Sequence, residues 1–163
     1  MDDLFAPAGG TWQPVSTKLA TVRRIVIGLW AGLLLVIGAV LVVVLPDLWW
    51  IGALVLLLAA VGALWGWAWA GRNQRSWGYA ENSDDLLVTR GVMFKRLVAI
   101  PYGRMQFVDV AAGPLDRAYG VAKVTLHTAS SETAADIPGL PAVEATRLRN
   151  RLTELGEAHG AGV

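Results

Sequence analysis

Two long segments without a charged residue constrain the fold of this chain more than any other feature. They cover residues 25–45 and 48–70, and only Pro46 and Asp47 separate them. At about 1.5 Å per helical residue, about 20 apolar residues cross the roughly 30 Å hydrocarbon core of a bilayer. The sequence therefore predicts two membrane-spanning helices that form a tight hairpin. A cleaved signal peptide is the alternative for the first segment, but that segment is too long and no cleavage motif follows it.

The composition fits a membrane protein with one small domain outside the membrane. Hydrophobic residues make up 55% of the chain, charged residues make up only 17%, and the mean hydropathy is +0.48. Soluble domains contain about 25% charged residues, so the composition excludes a soluble monomer. With 163 residues in total, the chain beyond the two segments is about one domain long, which excludes a large multidomain enzyme.

Basic residues flank the open end of the hairpin, whereas the turn carries only the acidic Asp47. The flanking residues are Lys18, Arg23, Arg24, Arg72 and Arg75. Lysine and arginine accumulate in cytoplasmic loops next to membrane helices. We therefore expect a two-pass membrane protein with both termini in the cytoplasm.

Tryptophans lie near both ends of the predicted spans. They are Trp30, Trp49, Trp50, Trp65, Trp67 and Trp69. Because tryptophan is enriched at membrane–water interfaces, we predict that these residues, with Arg72 and Arg75, anchor the hairpin there. A ligand cage formed by residues 65–69 is the alternative, but a spacing of two spreads the rings around the circumference of a helix.

Each span contains one small-residue motif at a similar depth, with Gly28 and Gly32 in the first and Gly62 and Gly66 in the second. Glycines four residues apart allow two helix backbones to approach closely. We predict that these glycines pack helices, either within one chain or against another subunit; chance is the alternative, because glycine is abundant here. Neither span contains an ionisable residue, which argues against an ion pathway or proton relay.

After the second span the pattern changes to short strands separated by turns. Strands are predicted over residues 86–90, 92–100, 106–111, 121–128 and 132–137, with a connecting segment at residues 113–119 and a break at residues 138–141. From Ala142, apolar residues recur every three or four positions, which predicts an amphipathic helix. The predicted fold class is α+β: a two-helix transmembrane hairpin followed by a small antiparallel β-domain with a C-terminal helix over one open end.

We expect four regions along the chain. They are a flexible N-terminal lead (residues 1–22), the transmembrane hairpin (23–71), a cytoplasmic domain (72–158) and a flexible tail (159–163).

Several short motifs follow one another in the cytoplasmic region. They are Trp77-x-Tyr79, Asp84-Asp85-Leu86-Leu87-Val88, Arg90-Gly91, Ile100-Pro101-Tyr102-x-Arg104-Met105-Gln106, Gly120-Val121-Ala122-x-Val124 and Glu144-Ala145-x-x-Leu148-Arg149. Their order and spacing resemble the bacterial pleckstrin-homology-like (PH-like) domains of the YdbS-like family of membrane proteins. The resemblance implies curved antiparallel strands capped by a C-terminal helix and a location in the bacterial cell membrane. It also implies an occurrence beside a larger relative with several copies of the domain.

The sequence offers little for catalysis. It contains no cysteine, which excludes thiol nucleophiles and thiolate metal sites, and its two histidines, His127 and His159, lie in no recognised catalytic motif. The neighbouring carboxylates of Asp84 and Asp85 lie in a turn-rich stretch, which favours a turn over a metal site. The net charge of +1 argues against binding to nucleic acid. We therefore expect no enzymatic activity and no cofactor.

Two kinds of interaction remain. Lys95, Arg96 and Arg104 flank the second predicted hairpin and are candidates for contact with a lipid headgroup or a partner, through charge-assisted hydrogen bonds. Strand edges and a groove beside the helix suit protein binding. Because the hairpin already supplies contact with the lipid bilayer, we favour an interaction module that assembles with another membrane protein, such as a multi-copy PH-like relative or a second copy of this chain. A lipid-headgroup sensor is the alternative.

Overall fold

The computed structural model describes residues 11–128 and 134–160, and these form two compact units. One unit comprises residues 20–72. The other combines the residues up to Leu19 with those from Asn73 onward. Residues 1–10 of the expected lead, residues 161–163 of the expected tail and the first two residues of the predicted strand 132–137 lie outside the described residues.

Both predicted spans are long helices. Helix α1 covers Lys18–Val44 and helix α2 covers Trp49–Arg75, and a single 3₁₀ turn at Pro46–Leu48 joins them. Only 6% of the most apolar stretch of α1 and 11% of the corresponding stretch of α2 are buried. Apolar helices in the core of a soluble protein are mostly buried, so these exposed apolar surfaces are typical of helices that contact lipid.

The second unit contains two antiparallel sheets. The first sheet has the order β1-β2-β3-β4, with β1 at Gln13–Pro14, β2 at Gly78–Glu81, β3 at Asp85–Arg90 and β4 at Arg96–Pro101. A 3₁₀ turn at Tyr102–Arg104 leads into the second sheet, of order β5-β6-β7. Its strands are β5 at Met105–Ala111, β6 at Val121–Thr128 and β7 at Ala135–Pro141, with a short helix α3 at Pro114–Tyr119. Helix α4, Ala142–Gly160, follows β7 directly.

One hydrophobic core joins both sheets to α4. Leu148 and Leu152 on α4 are at most 1% exposed, and they belong to the same cluster as Ile100 of β4 and Leu126 of β6. Full burial of a leucine or isoleucine side chain contributes about 1.5–3 kcal/mol. The helical periodicity after Ala142 and the alternation of β6 therefore describe the two faces of a single core, and the predicted α+β class is confirmed.

The N-terminal lead differs from the expectation in its described part. Strand β1 pairs with β2, Val15 is 2% exposed, and the Ser16 amide donates a 3.0 Å hydrogen bond to the carbonyl oxygen of Gly139. The buried side chain of Gln74 donates a 2.9 Å hydrogen bond to the carbonyl oxygen of Val15. In place of the expected flexible lead, these contacts hold the chain before α1, and residues 18–22 are the beginning of α1.

Two predicted connections are regular elements instead. Residues 113–119 contain α3, which begins at Pro114 with the Asp116 carboxylate accepting a hydrogen bond from the Gly113 amide, and ends at Gly120 in the left-handed conformation. The predicted break at residues 138–141 lies inside β7. Proline is tolerated there because β7 is an edge strand whose register shifts opposite β6.

The strand predicted over residues 92–100 begins later than expected. Strand β4 starts at Arg96, and the preceding residues form an exposed bend between β3 and β4. Gly91 enters this bend with φ of +114°, and a Cβ atom at this position would overlap the carbonyl oxygen of Phe94. The bend therefore requires glycine, and it uses residues that the apolar pattern assigned to the strand.

Candidate functional site

Strand β5 presents an open edge beside a groove. It pairs with β6 on one side, and no strand in the described part of the chain pairs with its other side. A groove of about 200 Å³ lies between β5 and the last turns of α4. Its lining residues are Met105, Gln106, Phe107, Val108, Leu152, Thr153, Gly156 and Glu157. The groove is therefore lined by apolar side chains and by polar groups from both elements.

An exposed aromatic side chain stands at this groove. Phe107 is 57% exposed, and its ring stacks on the imidazole of His127 with centroids 4.1 Å apart and an interplanar angle of 14°. The register between β5 and β6 shifts between Met105 and Phe107, and a bulge of this kind re-aims side chains. His127 is thus a surface residue that supports Phe107. The sequence signal for this site is the apolar pair Phe107-Val108, which interrupts the alternation of β5.

The size and chemistry of the groove limit what it can bind. Pockets for small molecules usually enclose about 300–1,000 Å³, and this groove is smaller. An open strand edge offers backbone amide and carbonyl groups to an incoming extended segment, while an adjacent pocket accepts one of its side chains. The arrangement therefore suits a peptide better than a cofactor.

Hydrogen-bonded side chains hold α4 against the first sheet. The Tyr79 hydroxyl donates a 2.8 Å hydrogen bond to Oε1 of Glu144, and the Arg147 guanidinium bonds both Glu144 and Glu81. The hydrogen bond from Arg147 lowers the pKa of Glu144, and burial raises the pKa of Tyr79 well above its ordinary value. These contacts fix the helix that forms one wall of the groove, so their role is structural.

The three candidate basic residues do not form one site. Lys95 and Arg96 lie at the start of β4, whereas Arg104 lies in the 3₁₀ turn beyond its end. A strand of six residues is about 20 Å long. Lys95 and Arg96 therefore lie together and Arg104 lies apart from them, and the predicted contact of these residues with a lipid headgroup or a partner stays a prediction.

Asp84 lies in the turn between β2 and β3, and Asp85 is the first residue of β3. The Asn82 side chain donates a 2.8 Å hydrogen bond to Oδ1 of Asp85, and the Ser83 hydroxyl donates one of 2.8 Å to Oδ2 of Asp84. The Tyr102 amide donates to the carbonyl oxygen of Asp84. These bonds close the β2–β3 connection, and among the described residues no three metal-binding side chains cluster here or elsewhere.

The membrane helices approach each other most closely at a different pair of glycines from those predicted. A Cβ atom on Gly52 would lie 2.7 Å from the backbone nitrogen of Val42 and 2.8 Å from the carbonyl oxygen of Gly38. By contrast, a Cβ on Gly28, Gly32 or Gly62 would meet nothing within 4 Å. The predicted packing within one chain is therefore wrong for these three positions, and their packing against another subunit stays a prediction.

The fourth predicted glycine has a looser contact. A Cβ on Gly66 would lie 3.1 Å from the flexible end of the Ile27 side chain. Between this point and the Gly38–Gly52 crossing, an apolar groove of about 230 Å³ opens between the helices next to Gly62. The glycine motifs thus mark the wider half of the hairpin, and side chains rather than backbones meet there.

The predicted interface anchors are exposed on their helices. The tryptophans are between 45% and 73% exposed, and they are Trp30, Trp49, Trp50, Trp65, Trp67 and Trp69. Arg72 and Arg75 are exposed on the last turns of α2. These side chains form no enclosed aromatic cage among the described residues, and their position at membrane interfaces stays a prediction.

Two of these tryptophans contact arginines of α1, which the sequence analysis missed. The guanidinium of Arg24 lies 5.0 Å from the ring centre of Trp67, and that of Arg23 lies 5.9 Å from the ring centre of Trp69. Cation–π contacts of this length are attractive. They link the beginning of α1 to the end of α2, which the spacing of basic and aromatic residues at the two helix ends could have indicated.

Two apolar helices together with two antiparallel sheets and a C-terminal helix define a membrane protein with a PH-like domain. The family model "Bacterial PH domain" matches residues 17–156, and the chain belongs to this family. It is similar to the UPF0699 transmembrane protein YdbS of Bacillus subtilis (strain 168), with 32% identity over 83 residues. The match covers 51% of each chain, so this chain spans about half the length of that curated relative. No solved structure matches. The resemblance to YdbS-like proteins is confirmed.

Proposed function

We propose that this protein is a non-enzymatic, membrane-anchored interaction module whose PH-like domain binds an extended segment of another membrane protein. The observation that carries this proposal is the open edge of β5 beside the groove against α4. A segment added antiparallel or parallel to β5 would extend the second sheet and place one side chain in the groove.

The groove is prepared for such a segment before binding. Its β5 wall belongs to a three-stranded sheet, and its α4 wall is fixed by the hydrogen bonds of Glu144 and Arg147 to β2. A rigid site loses less conformational entropy on binding than a mobile one. Phe107 provides an exposed aromatic contact at the margin, and aromatic residues dominate the binding energy of many interfaces.

The membrane helices determine which partners are accessible. With both termini in the cytoplasm, the PH-like domain would meet the cytoplasmic segments of proteins in the same membrane. Confinement to one membrane raises the effective concentration of such partners. The partner class is therefore a membrane protein with an extended cytoplasmic segment, either a PH-like relative or a second copy of this chain.

Site-directed photocross-linking in intact membranes tests this proposal. A photoreactive phenylalanine analogue replaces Phe107 at the groove, and the matched control places it at Val143, which is 84% exposed at the start of α4. We expect one dominant cross-linked membrane protein from position 107 and little from position 143. Mass spectrometry of the cross-linked peptide then shows whether the partner is a second copy or a different protein.

Further variants give the outcome that contradicts the proposal. Phe107→Lys places a charge at the groove margin and should abolish co-purification of the cross-linked partner, whereas Val143→Lys should leave it unchanged. The proposal is wrong if position 107 yields no specific product, or if both lysine variants retain the partner equally.

A further inference from the structure

The bend between β3 and β4 carries an unusual group of exposed apolar side chains. Outside the two membrane helices and their turn, the described residues expose five large apolar side chains, which are Val92, Met93, Phe94, Phe107 and Val143. Three of them are consecutive, and Met93 and Phe94 are 85% and 86% exposed. We call residues 91–96 the β3–β4 tip.

The backbone of the β3–β4 tip is fixed by its glycine. Gly91 has φ of +114°, and a side chain at that position would collide with the carbonyl group of Phe94. This tight bend holds Met93 and Phe94 away from the core of their own domain. Their exposure is therefore a property of the turn, and these side chains are left to meet something outside the domain.

Basic residues follow the apolar pair at once. Lys95 and Arg96 are both exposed, at the start of β4. Apolar side chains next to cations match the structure of a bilayer surface, where acyl chains lie below phosphate groups. The core of a protein–protein interface is, by contrast, depleted in lysine. The side-chain chemistry of the tip thus favours a lipid surface.

The chain enters the first sheet at the end that carries the tip. Thr89, two residues before Gly91, pairs with Gly78, and Gly78 lies three residues after Arg75, the last residue of α2. Three residue steps extend at most about 11 Å. Pro14 of β1 also pairs with Gly78, four residues before α1 begins. Both connections to the membrane helices therefore enter at the end of the first sheet that carries the tip.

We propose that the β3–β4 tip is a bilayer-insertion site, in which Met93 and Phe94 enter the interfacial layer of the membrane while Lys95 and Arg96 contact lipid phosphates. The site lies on the first sheet, and it does not depend on the groove beside β5. Its ligand is the surface of the anionic leaflet from which the helices emerge. The insertion orients the domain on the membrane and leaves β5, in the other sheet, to a protein partner.

Fluorescence depth measurement on the full-length protein tests the insertion. The chain contains no cysteine, so Met93→Cys can carry one environment-sensitive nitrobenzoxadiazole label. The protein is placed in nanodiscs of phosphatidylcholine and phosphatidylglycerol, with or without a lipid that carries a nitroxide near the headgroup. Val143→Cys is the control, because it is similarly exposed but lies at the start of α4. We expect a blue-shifted emission and nitroxide quenching at position 93, and neither at position 143.

Two changes in the labelled Met93→Cys background separate the apolar and electrostatic contributions. Phe94→Ser should shift the emission back to the value in water and abolish quenching. The double change Lys95→Gln and Arg96→Gln should lower quenching in anionic nanodiscs but have little effect in pure phosphatidylcholine. Equal circular dichroism and thermal unfolding show that the variants remain folded, as expected for an exposed bend.

Two outcomes would overturn the proposal. One is an emission at position 93 that stays at its value in water, without quenching, while the protein is folded in the nanodisc. The other is equal quenching at positions 93 and 143, which would mean that the domain lies on the membrane without a particular insertion site.

Discussion

Gly52 of α2 faces Gly38 of α1 so closely that a methyl group on Gly52 would come within 2.8 Å of the carbonyl oxygen of Gly38. Neither glycine belongs to the motifs that the sequence analysis selected. Both lie nearer to the turn at Pro46–Leu48, where the short connection brings the two helix backbones together.

Substitution at this crossing should loosen the hairpin. Gly52→Ala forces the backbones apart, and overpacking of this kind costs about 1–3 kcal/mol. The matched control is Gly62→Ala, since a Cβ at position 62 meets nothing within 4 Å. The measurement is unfolding of the full-length protein by titration with sodium dodecyl sulfate in mixed micelles. Equal midpoints for the two variants would contradict the crossing at Gly52.

Two glycines with positive φ test whether the N-terminal segment packs into the domain. Gly139 (φ +71°) lies against Leu19, whose Cβ would be 2.6 Å from an added Cβ, whereas Gly120 (φ +66°) has open space around that position. Alanine costs about 1–2 kcal/mol at either position because of the left-handed backbone. We expect Gly139→Ala to lower the free energy of unfolding by about 1 kcal/mol more than Gly120→Ala does, because the added methyl group overpacks against Leu19. The difference between the two melting curves measures this packing, and identical curves would contradict it.

Stability should fall in acid through Glu144. Arg147 lowers the pKa of Glu144 in the folded protein, so this contribution is present above the ordinary carboxyl pKa and is lost as the pH falls through the folded pKa. Arg147→Gln should make the free energy of unfolding less dependent on pH in acid. It should also lower that free energy by about 1 kcal/mol at neutral pH, since the ion pairs are partly exposed. Arg149→Gln is the control, because the Arg149 guanidinium bonds its chain neighbour Asn150. Thermal unfolding as a function of pH measures both effects.

The loss of folding stability at alkaline pH should depend on Tyr102. Its side chain is fully buried, its hydroxyl donates a 2.9 Å hydrogen bond to the carbonyl oxygen of Asn82, and burial raises its pKa to about 12. The raised pKa contributes stability below the ordinary tyrosine pKa of about 10, and this contribution is lost as the pH rises through the folded pKa. Tyr102→Phe should cost about 1 kcal/mol at neutral pH and remove this alkaline loss. Absorbance of tyrosinate gives the titration, with the half-buried Tyr119→Phe as the control.

The orientation of the hairpin can be measured with single cysteines. We expect a membrane-impermeant thiol reagent, added to intact cells, to label Asp47→Cys but not Ser83→Cys, since basic residues flank the open end of the hairpin and the turn has none. After the cells are lysed, both positions should react. Labelling of Ser83→Cys alone in intact cells would reverse the topology.

Strong periodic patterns made most of the fold predictable. The uncharged spans, the alternation of β6 and the helical spacing of Leu148 and Leu152 each repeat over many residues, so each pattern specifies one element. The start of β4 was misjudged because Val92, Met93 and Phe94 continue an apolar run that a bend at Gly91 in fact exposes. Apolar character alone does not distinguish a buried strand residue from one in an exposed bend.

Relationships between distant residues were harder to predict. Strand β1 has only two residues, which is too short to show a period, and the Ser16 amide that follows it bonds Gly139, more than a hundred positions later in the chain. The Gly38–Gly52 crossing depends on how the turn orients α2 against α1, and the spacing of residues in the sequence does not reveal this orientation. A groove beside the C-terminal helix was expected, but its aromatic residue Phe107 was recognised only as an exception to the alternation of β5.

The pairing of β1 with β2 makes the water-exposed unit discontinuous in sequence, with residues 20–72 inserted between its first strand and the rest. The ribosome synthesises β1 before the hairpin, so β1 stays unpaired until β2 and β7 have been synthesised. Expression of the C-terminal part alone would omit Val15 and leave the outer edge of β2 without a partner. A protease that cuts the chain once, after α2, would not release the unit, because β1 still attaches it to α1.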